Sequence, residues 1–211
     1  MIGIIGKKKG MISFFKDNKI YPCTIIESNK CKIIEIKKKI NNKYSIIIGY
    51  NKIKKVNKPL KGYFKKNNVN YYKKIIELNK LKKNSINKYK KREFIDINIF
   101  KIGEKINITG YSIGKGFQGV VKRYGFSGVG GKTHGQHNRL RSSGSIGAGS
   151  YPSKVIKGMK MAGRMGNNKI TIKNLEIIYI DKNKKFFLIK GSIPGKKNNY
   201  LIIKKNESKF N

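Results

Sequence analysis

The sequence predicts a mainly β fold: an antiparallel β-barrel core with a long, glycine-rich, basic extension and little helix. Short β-branched runs separated by polar breaks recur near both ends of the chain, a pattern typical of barrels and sandwiches. Between residues 110 and 166 these runs vanish, and this stretch holds 15 of the 23 glycines. The 50 Lys and Arg residues outnumber the 10 Asp and Glu residues, which gives a net charge of +40.

The first 56 residues predict three strands. Stiff β-branched residues, such as the three isoleucines at 46–48, suit a pleated surface. The predicted strands are Ile20–Glu27, Cys31–Lys37 and Tyr44–Tyr50. The pair Asn41-Asn42 lies between the last two, and it predicts a hairpin turn because asparagine tolerates a positive φ.

The lysine- and asparagine-rich section at 57–100 predicts one helix and two strands. Pro59 has the fixed φ that suits a first helical turn, so we expect a short helix from there to about Lys66. Leu60 and Phe64 are four positions apart and would share one face of this helix. The predicted strands are Tyr71–Leu78 and Glu93–Phe100.

The last third of the chain returns to strands. These are Lys169–Ile180, Phe186–Lys190 and Tyr200–Lys204, with turns predicted at 181–184 and 192–195. We therefore expect residues 1–109 and 167–211 to form the barrel core, with the section 57–100 inserted in it. Residues 110–166 would form an extended loop, since structureless segments of this length are usually functional or disordered.

A charge of +40 on a 24.1 kDa chain requires an explanation, because small domains usually carry a net charge of about 2–8 in magnitude. A polyanionic partner would supply the missing negative charge. This argues against an ordinary enzyme acting on a small neutral substrate and against an acidic disordered regulator. Lys, Ile and Asn make up 104 of the 211 residues, a bias typical of an A+T-rich genome, so the distribution of charge is more informative than its total.

The distribution is uneven. The 71 residues between Glu104 and Glu176 contain no Asp or Glu, yet they contain 13 Lys and Arg residues, including four of the five arginines. Arginine matches phosphate and base edges with its planar donors, and glycine lets backbone N–H groups approach phosphate closely. The alternative interpretation of this segment is a flexible basic linker. A linker that acts only as a spacer does not require apolar residues such as Phe117, Tyr124 and Tyr151, so we favour a segment that contacts a polyanion.

Several patterns imitate catalytic or metal sites. Residues 114–119 satisfy GxGxxG, but no acidic residue follows about 20 positions later as a dinucleotide site requires. Residues 130–133 resemble the end of a P-loop without its first glycine, and His134 and His137 have no Cys, Asp or Glu nearby to complete a metal site. We therefore expect no enzyme, no cofactor, no metal and no small-molecule substrate.

The cysteine count and the distribution of apolar residues indicate the cellular compartment of the protein. Cys23 and Cys31 are too few for a disulfide scaffold, and we expect both to be reduced thiols. No apolar run approaches the roughly 20 residues of a membrane span. Apolar residues precede the first charges, the reverse of a secretory signal, so we expect a cytosolic protein or one made where it works.

The glycine-rich stretch also carries a family resemblance. The residues concerned are Phe100, Asn107, Gly110, Ser112, 114–116, Gly119, Arg123, 133–135, 144–147, 151–155 and 157–166, with the opening 1–11 and the closing 189–195. In order and spacing they resemble bacterial-type ribosomal protein L-three, and the match covers almost the whole chain.

The resemblance implies a structural, non-catalytic constituent of the large ribosomal subunit that binds large-subunit rRNA and assists early assembly. Its barrel would lie on the subunit surface, and its loop would extend toward the peptidyl transferase centre. The partners implied are large-subunit rRNA and neighbouring large-subunit proteins, without a membrane, in the cytoplasm of a bacterium or alternatively in an organelle that encodes its own ribosomal proteins. The residues expected to contact rRNA are Lys115, Lys122, Arg123, His134, Arg139, Lys154, Lys157, Lys160 and Arg164.

Two rival functions remain open on the sequence. A free-standing DNA-compacting or RNA-chaperone protein would share the charge but would not need an ordered, carboxylate-free loop. A nucleotide-using enzyme built on residues 114–119 would bind ATP or NAD stoichiometrically as the isolated chain.

Overall fold

The chain folds as two compact units in the computed structural model, which describes residues 3–39, 44–81, 89–131, 134–135 and 137–206. Residues 1–111 and 169–211 form one unit, called here the core unit, and residues 112–168 form the other, the loop unit. Strands account for most of the regular structure in the described residues, and the α-helices are short. The prediction of a mainly β fold with little helix is therefore confirmed.

The described residues form twelve strands and two α-helices. The strands are β1 (Gly3–Lys16), β2 (Lys19–Glu27), β3 (Cys31–Lys38), β4 (Tyr44–Lys52), β5 (Tyr72–Leu81), β6 (Phe94–Ile95), β7 (Lys105–Tyr111), β8 (Gly116–Gln118), β9 (Gly163–Met165), β10 (Lys169–Asp181), β11 (Phe186–Lys190) and β12 (Tyr200–Lys205). Helix α1 (Lys58–Lys66) follows β4, and helix α2 (Val120–Tyr124) follows β8.

Six strands of the core unit pair antiparallel in a closed barrel, in the order β1, β12, β7, β10, β11, β2 and back to β1. Ile26 of β2, Phe187 of β11 and Ile203 of β12 are fully buried in one shared hydrophobic cluster. Each such side chain contributes about 1.5–3 kcal/mol when it leaves water. Both ends of the chain are therefore needed to complete this core.

A second, four-stranded sheet has the order β5, β4, β3, β6. Successive side chains along a strand point to opposite faces. Ile33 and Ile48 accordingly join the cluster that contains the barrel side chains, while Ile34 and Ile47 pack with Phe64 of α1. The consecutive isoleucines of β3 and β4 are thus buried on both faces of the sheet.

Several predicted elements differ from the observed ones. The predicted strand Glu93–Phe100 is wrong beyond Ile95, because the Asp96 carboxylate accepts a hydrogen bond from the Ile97 N–H (2.8 Å) and begins a 3₁₀ turn at Ile97–Ile99. Leu60 and Phe64 both lie in α1, four positions apart as predicted, but they are not equally buried. Phe64 is fully buried, but Leu60 at the start of α1 is 41% exposed. The predicted turn at Asn41-Asn42 lies outside the described residues.

Cys31 lies inside the main hydrophobic cluster. Its Sγ accepts a hydrogen bond from the Ile5 N–H at 3.4 Å, and the Ser28 hydroxyl donates to the Ile5 carbonyl at 2.9 Å. Burial raises the pKa of the Cys31 thiol to about 12, because the thiolate would lose its hydration there. Cys23 is buried as well, and both cysteines are unpaired.

The Cys31 thiol makes stability depend on alkaline pH. In the unfolded chain it ionises near its ordinary pKa of about 9, whereas the folded protein keeps it protonated, so the unfolded state binds fewer protons and stability falls as pH rises. Between about pH 8 and about pH 10.5 the wild type should lose about 2 kcal/mol more free energy of unfolding than Cys31→Ala. Urea denaturation of both proteins at the two pH values measures this difference. All other ionisable groups are common to the two proteins, so an equal loss would contradict the role assigned to Cys31.

Candidate nucleic-acid interface

The loop unit begins and ends at one hydrogen-bonded neck. The Ser112 N–H donates to the Asn168 carbonyl (2.9 Å), and the Asn168 N–H donates to the Ser112 hydroxyl (3.1 Å). The Lys115 N–H then donates to the Met165 carbonyl (2.9 Å), and β8 pairs antiparallel with β9. The 57-residue unit is therefore held closed by backbone contacts between its two ends.

Two glycines of the loop unit, Gly166 at the neck and Gly128 beyond it, permit close backbone approach. Gly166 has a φ of +75°, and a Cβ there would overlap the Ile113 carbonyl oxygen. Gly128 has a φ of +80°, and its Cβ would overlap the Leu140 carbonyl oxygen, which accepts the Val129 N–H at 3.2 Å. Any side chain at either position would meet both a strained φ and a backbone atom.

Helix α2 presents cations next to the neck. It ends at Gly125, whose φ is +75° and whose N–H donates to the Val121 carbonyl (2.9 Å). Lys122 and Arg123 occupy its last turn, where cations interact favourably with the helix carbonyls. Val120 is buried and anchors the helix, while Lys122 is exposed.

The GxGxxG match at residues 114–119 forms part of this neck. Its residues 116–118 are β8 and pair with β9, so they belong to a two-stranded ribbon. Lys132 and Thr133 of the P-loop-like sequence lie outside the described residues. Within the described ranges, no group of three or more His, Cys, Asp and Glu side chains is placed to hold a metal ion.

All nine residues predicted from the sequence to contact rRNA lie in the loop unit. Eight of them are exposed: Lys115, Lys122, His134, Arg139, Lys154, Lys157, Lys160 and Arg164. Arg123 is the exception. It is half-buried, and its Nη1 donates to the Met161 carbonyl at 2.7 Å. Part of the Arg123 guanidinium thus connects α2 to the returning chain.

The structure brings some of these cations together around aromatic rings. The Arg123 guanidinium lies 5.0 Å from the centre of the Tyr124 ring, and the Lys160 ammonium lies 5.9 Å from it. Arg164 of β9 is paired in register with Phe117 of β8. Four others lie between α2 and Lys160 in sequence and take part in none of these contacts: His134, Arg139, Lys154 and Lys157.

The loop unit leaves many large apolar side chains exposed. Phe117 is 76% exposed, Tyr151 88% and Ile156 67%. The sequence identified these residues as apolar anchors but could not assign partners to them. Exposed apolar and aromatic side chains of this size are available to contact a partner.

No carboxylate can neutralise the cations of the loop unit locally, because its sequence contains none. The ion pairs observed among the described residues all lie in the core unit, as in Lys205–Glu104 at 3.0 Å and Lys9–Glu27 at 2.8 Å. The loop unit therefore offers uncompensated cations, backbone donors and exposed rings together. Such a set can bind phosphates and stack on bases. Separately, no helix in the described part of the chain is both long and apolar enough to cross a membrane.

The two units together define a class: a β protein that carries a cationic, carboxylate-free unit suited to a polyanion. The family model described as Ribosomal protein L3 matches residues 84–185. A curated relative, the Large ribosomal subunit protein uL3 of Chlorobium phaeobacteroides, is 45% identical over 207 residues, which cover 96% of this chain and 98% of the relative. The chain belongs to the ribosomal protein L3 family, and the resemblance seen in its motifs is confirmed.

The glycine contacts at the neck predict the effect of one substitution. Gly166→Ala should weaken the pairing of β8 with β9, because the alanine would need a φ of +75° and a shift of the Ile113 carbonyl; strain of this kind costs about 1–3 kcal/mol. Hydrogen–deuterium exchange at the Lys115 amide should then accelerate. Gly130→Ala is the matched control, since a Cβ there meets nothing within 4 Å. Equal exchange rates at Lys115 in the two variants would show that the neck does not require glycine at position 166.

Proposed function

We propose that this chain is a structural constituent of the large ribosomal subunit that binds large-subunit rRNA through its loop unit and assists early assembly. The core unit is the globular part at the subunit surface, and the loop unit is an extension that enters the rRNA toward the peptidyl transferase centre. The observation that carries the proposal is the absence of Asp and Glu over the 71 residues from 105 to 175.

Charge supports this proposal in a specific way. A surface in water normally mixes both signs, and the core unit does so through its ion pairs. A carboxylate placed against phosphates would be repelled, whereas each Lys or Arg releases counterions from the RNA and strengthens binding. Exclusion of carboxylates from the loop unit alone is therefore the pattern expected when that unit faces RNA.

The exposed rings support RNA over a simple anion. Phe117, Tyr124 and Tyr151 are partly or largely exposed within the loop unit. RNA segments with unpaired bases offer flat faces on which aromatic rings and guanidinium groups stack. Inorganic anions and acidic peptides offer phosphate or carboxylate groups but no comparable stacking surface.

The nine residues predicted from sequence take two roles in this proposal. Eight of them are exposed and contact rRNA phosphates, sugars or bases: Lys115, Lys122, His134, Arg139, Lys154, Lys157, Lys160 and Arg164. Arg123 contributes charge while it ties α2 to the Met161 carbonyl.

The proposal also covers partners and location. The partners are large-subunit rRNA and neighbouring large-subunit ribosomal proteins. The relative described above is a large-subunit protein of a bacterium, which favours a ribosome in bacterial cytoplasm over an organellar one. The chain acts by binding and positioning RNA, and no catalytic step is assigned to it.

Reversal of one loop-unit charge should impair assembly. Arg164→Glu replaces an exposed cation of β9 with a group that rRNA phosphates repel, so the variant should enter large subunits much less than the wild type. Tagged protein in sucrose-gradient fractions of a cell extract measures incorporation. Lys91→Glu, an exposed change of the same sign in the core unit, is the control. Equal incorporation of the two variants would count against the loop unit as the main contact.

RNA should also protect the loop unit from proteolysis. Among the described residues, none between 125 and 160 lies in a helix or strand, so this stretch should be cleaved readily in the free protein. Binding of a large-subunit rRNA transcript should slow cleavage there by at least about tenfold, because the backbone becomes ordered against RNA. Mass spectrometry of the fragments locates the cleavage sites. Duplex DNA of equal phosphate content is the control, and equal protection by DNA would favour a general nucleic-acid-binding protein.

A further inference from the structure

The Tyr124 ring is the centre of a small cluster built from both ends of the loop unit. The Arg123 guanidinium is 5.0 Å from its centre and the Lys160 ammonium is 5.9 Å. The Phe126 ring is 6.3 Å away and tilted by 43°. Two cations and two rings thus meet here: Arg123 and both rings come from residues 123–126, and Lys160 comes from the returning chain.

Arg123 is bonded to the returning chain just before β9. Its Nη1 donates to the Met161 carbonyl at 2.7 Å, and a Cβ on Gly163 would come within 2.5 Å of the same nitrogen. The absence of a side chain at Gly163 therefore leaves room for the guanidinium. This bond joins the segment that carries Tyr124 to the segment that carries Lys160, since these two residues are the chain neighbours of Arg123 and Met161.

The cluster has no anion of its own. The loop unit has no carboxylate, and Lys160 is exposed. Tyr124 keeps 39% of its surface in contact with solvent. A fully buried ring would serve packing alone, whereas the Tyr124 side chain is partly open to solvent beside the exposed Lys160.

We propose that Tyr124 and Lys160 form a nucleotide-binding subsite of the loop unit, in which an unpaired RNA base stacks on the Tyr124 ring and its phosphate pairs with Lys160. Arg123 is the positioning residue that holds the ring. The ligand class is single-stranded RNA, because a duplex keeps its bases stacked on one another and cannot offer a free face. The inference rests on the proposed function and adds to it a base contact at a residue outside the nine predicted from sequence.

The chain contains no tryptophan, so a single substitution provides a reporter. Tyr124→Trp should show a clear loss of indole emission when an oligoadenosine RNA of about twelve nucleotides binds, because a stacked base quenches the indole. An abasic ribose-phosphate chain of the same length carries equal charge and should leave the emission unchanged. Phe15→Trp, at a site in the core unit that is 72% exposed, is the control and should not respond to either.

Affinity gives a second readout that does not depend on the reporter. Tyr124→Leu should bind oligoadenosine about tenfold more weakly, while Tyr124→Phe, which keeps the ring, should bind like the wild type. Neither change should alter binding of the abasic chain.

The outcomes separate this inference from the proposed function. The subsite is overturned if oligoadenosine does not bind, if the emission at position 124 ignores the base, or if Tyr124→Leu and Tyr124→Phe bind alike. The wider proposal fails only if the wild-type chain also fails to bind a large-subunit rRNA transcript.

Discussion

Uncompensated positive charge is the constraint on which the rest of this structure depends. The chain has a net charge of +40, and its ten acidic residues all lie outside the 71-residue segment from 105 to 175. The core unit can fold around this charge, because a hydrophobic cluster supplies its stability and ion pairs such as Lys205–Glu104 neutralise part of its surface. None of the described residues of the loop unit belongs to this hydrophobic cluster, and the unit has no carboxylate with which to form ion pairs. Its cations are therefore suited to a negatively charged partner.

The two units consequently use different physical means to hold their shape. Isoleucines in the core unit are buried on both faces of the four-stranded sheet and inside the barrel. In the loop unit, order near the neck comes from backbone hydrogen bonds, from glycines that allow close approach, and from the bond between Arg123 and the Met161 carbonyl. Apolar side chains such as Tyr151 remain exposed to solvent.

The sequence predicted most strands of the core unit because their β-branched runs are continuous. It missed β1 and β7, where glycine, lysine and asparagine interrupt the apolar pattern although Asn107 and Thr109 are buried. For the candidate site, the cations could be identified from the absence of acidic neighbours. The pairing of Tyr124 with Lys160 could not, since it depends on how β8 and β9 bring distant residues together. Another non-local contact, the hydrogen bond from Arg123 to the Met161 carbonyl, accompanies the partial burial of Arg123, which its neighbours in sequence do not predict.

The neck has a consequence for how such proteins vary. Strands β7 and β10 are already in register at Tyr111 and Lys169 before the chain leaves for the loop unit, and Ser112 bonds to Asn168 immediately afterwards. Residues added or removed beyond this point leave the spacing of the two strands untouched. The loop unit can therefore change in length without changing the pairing of β7 with β10.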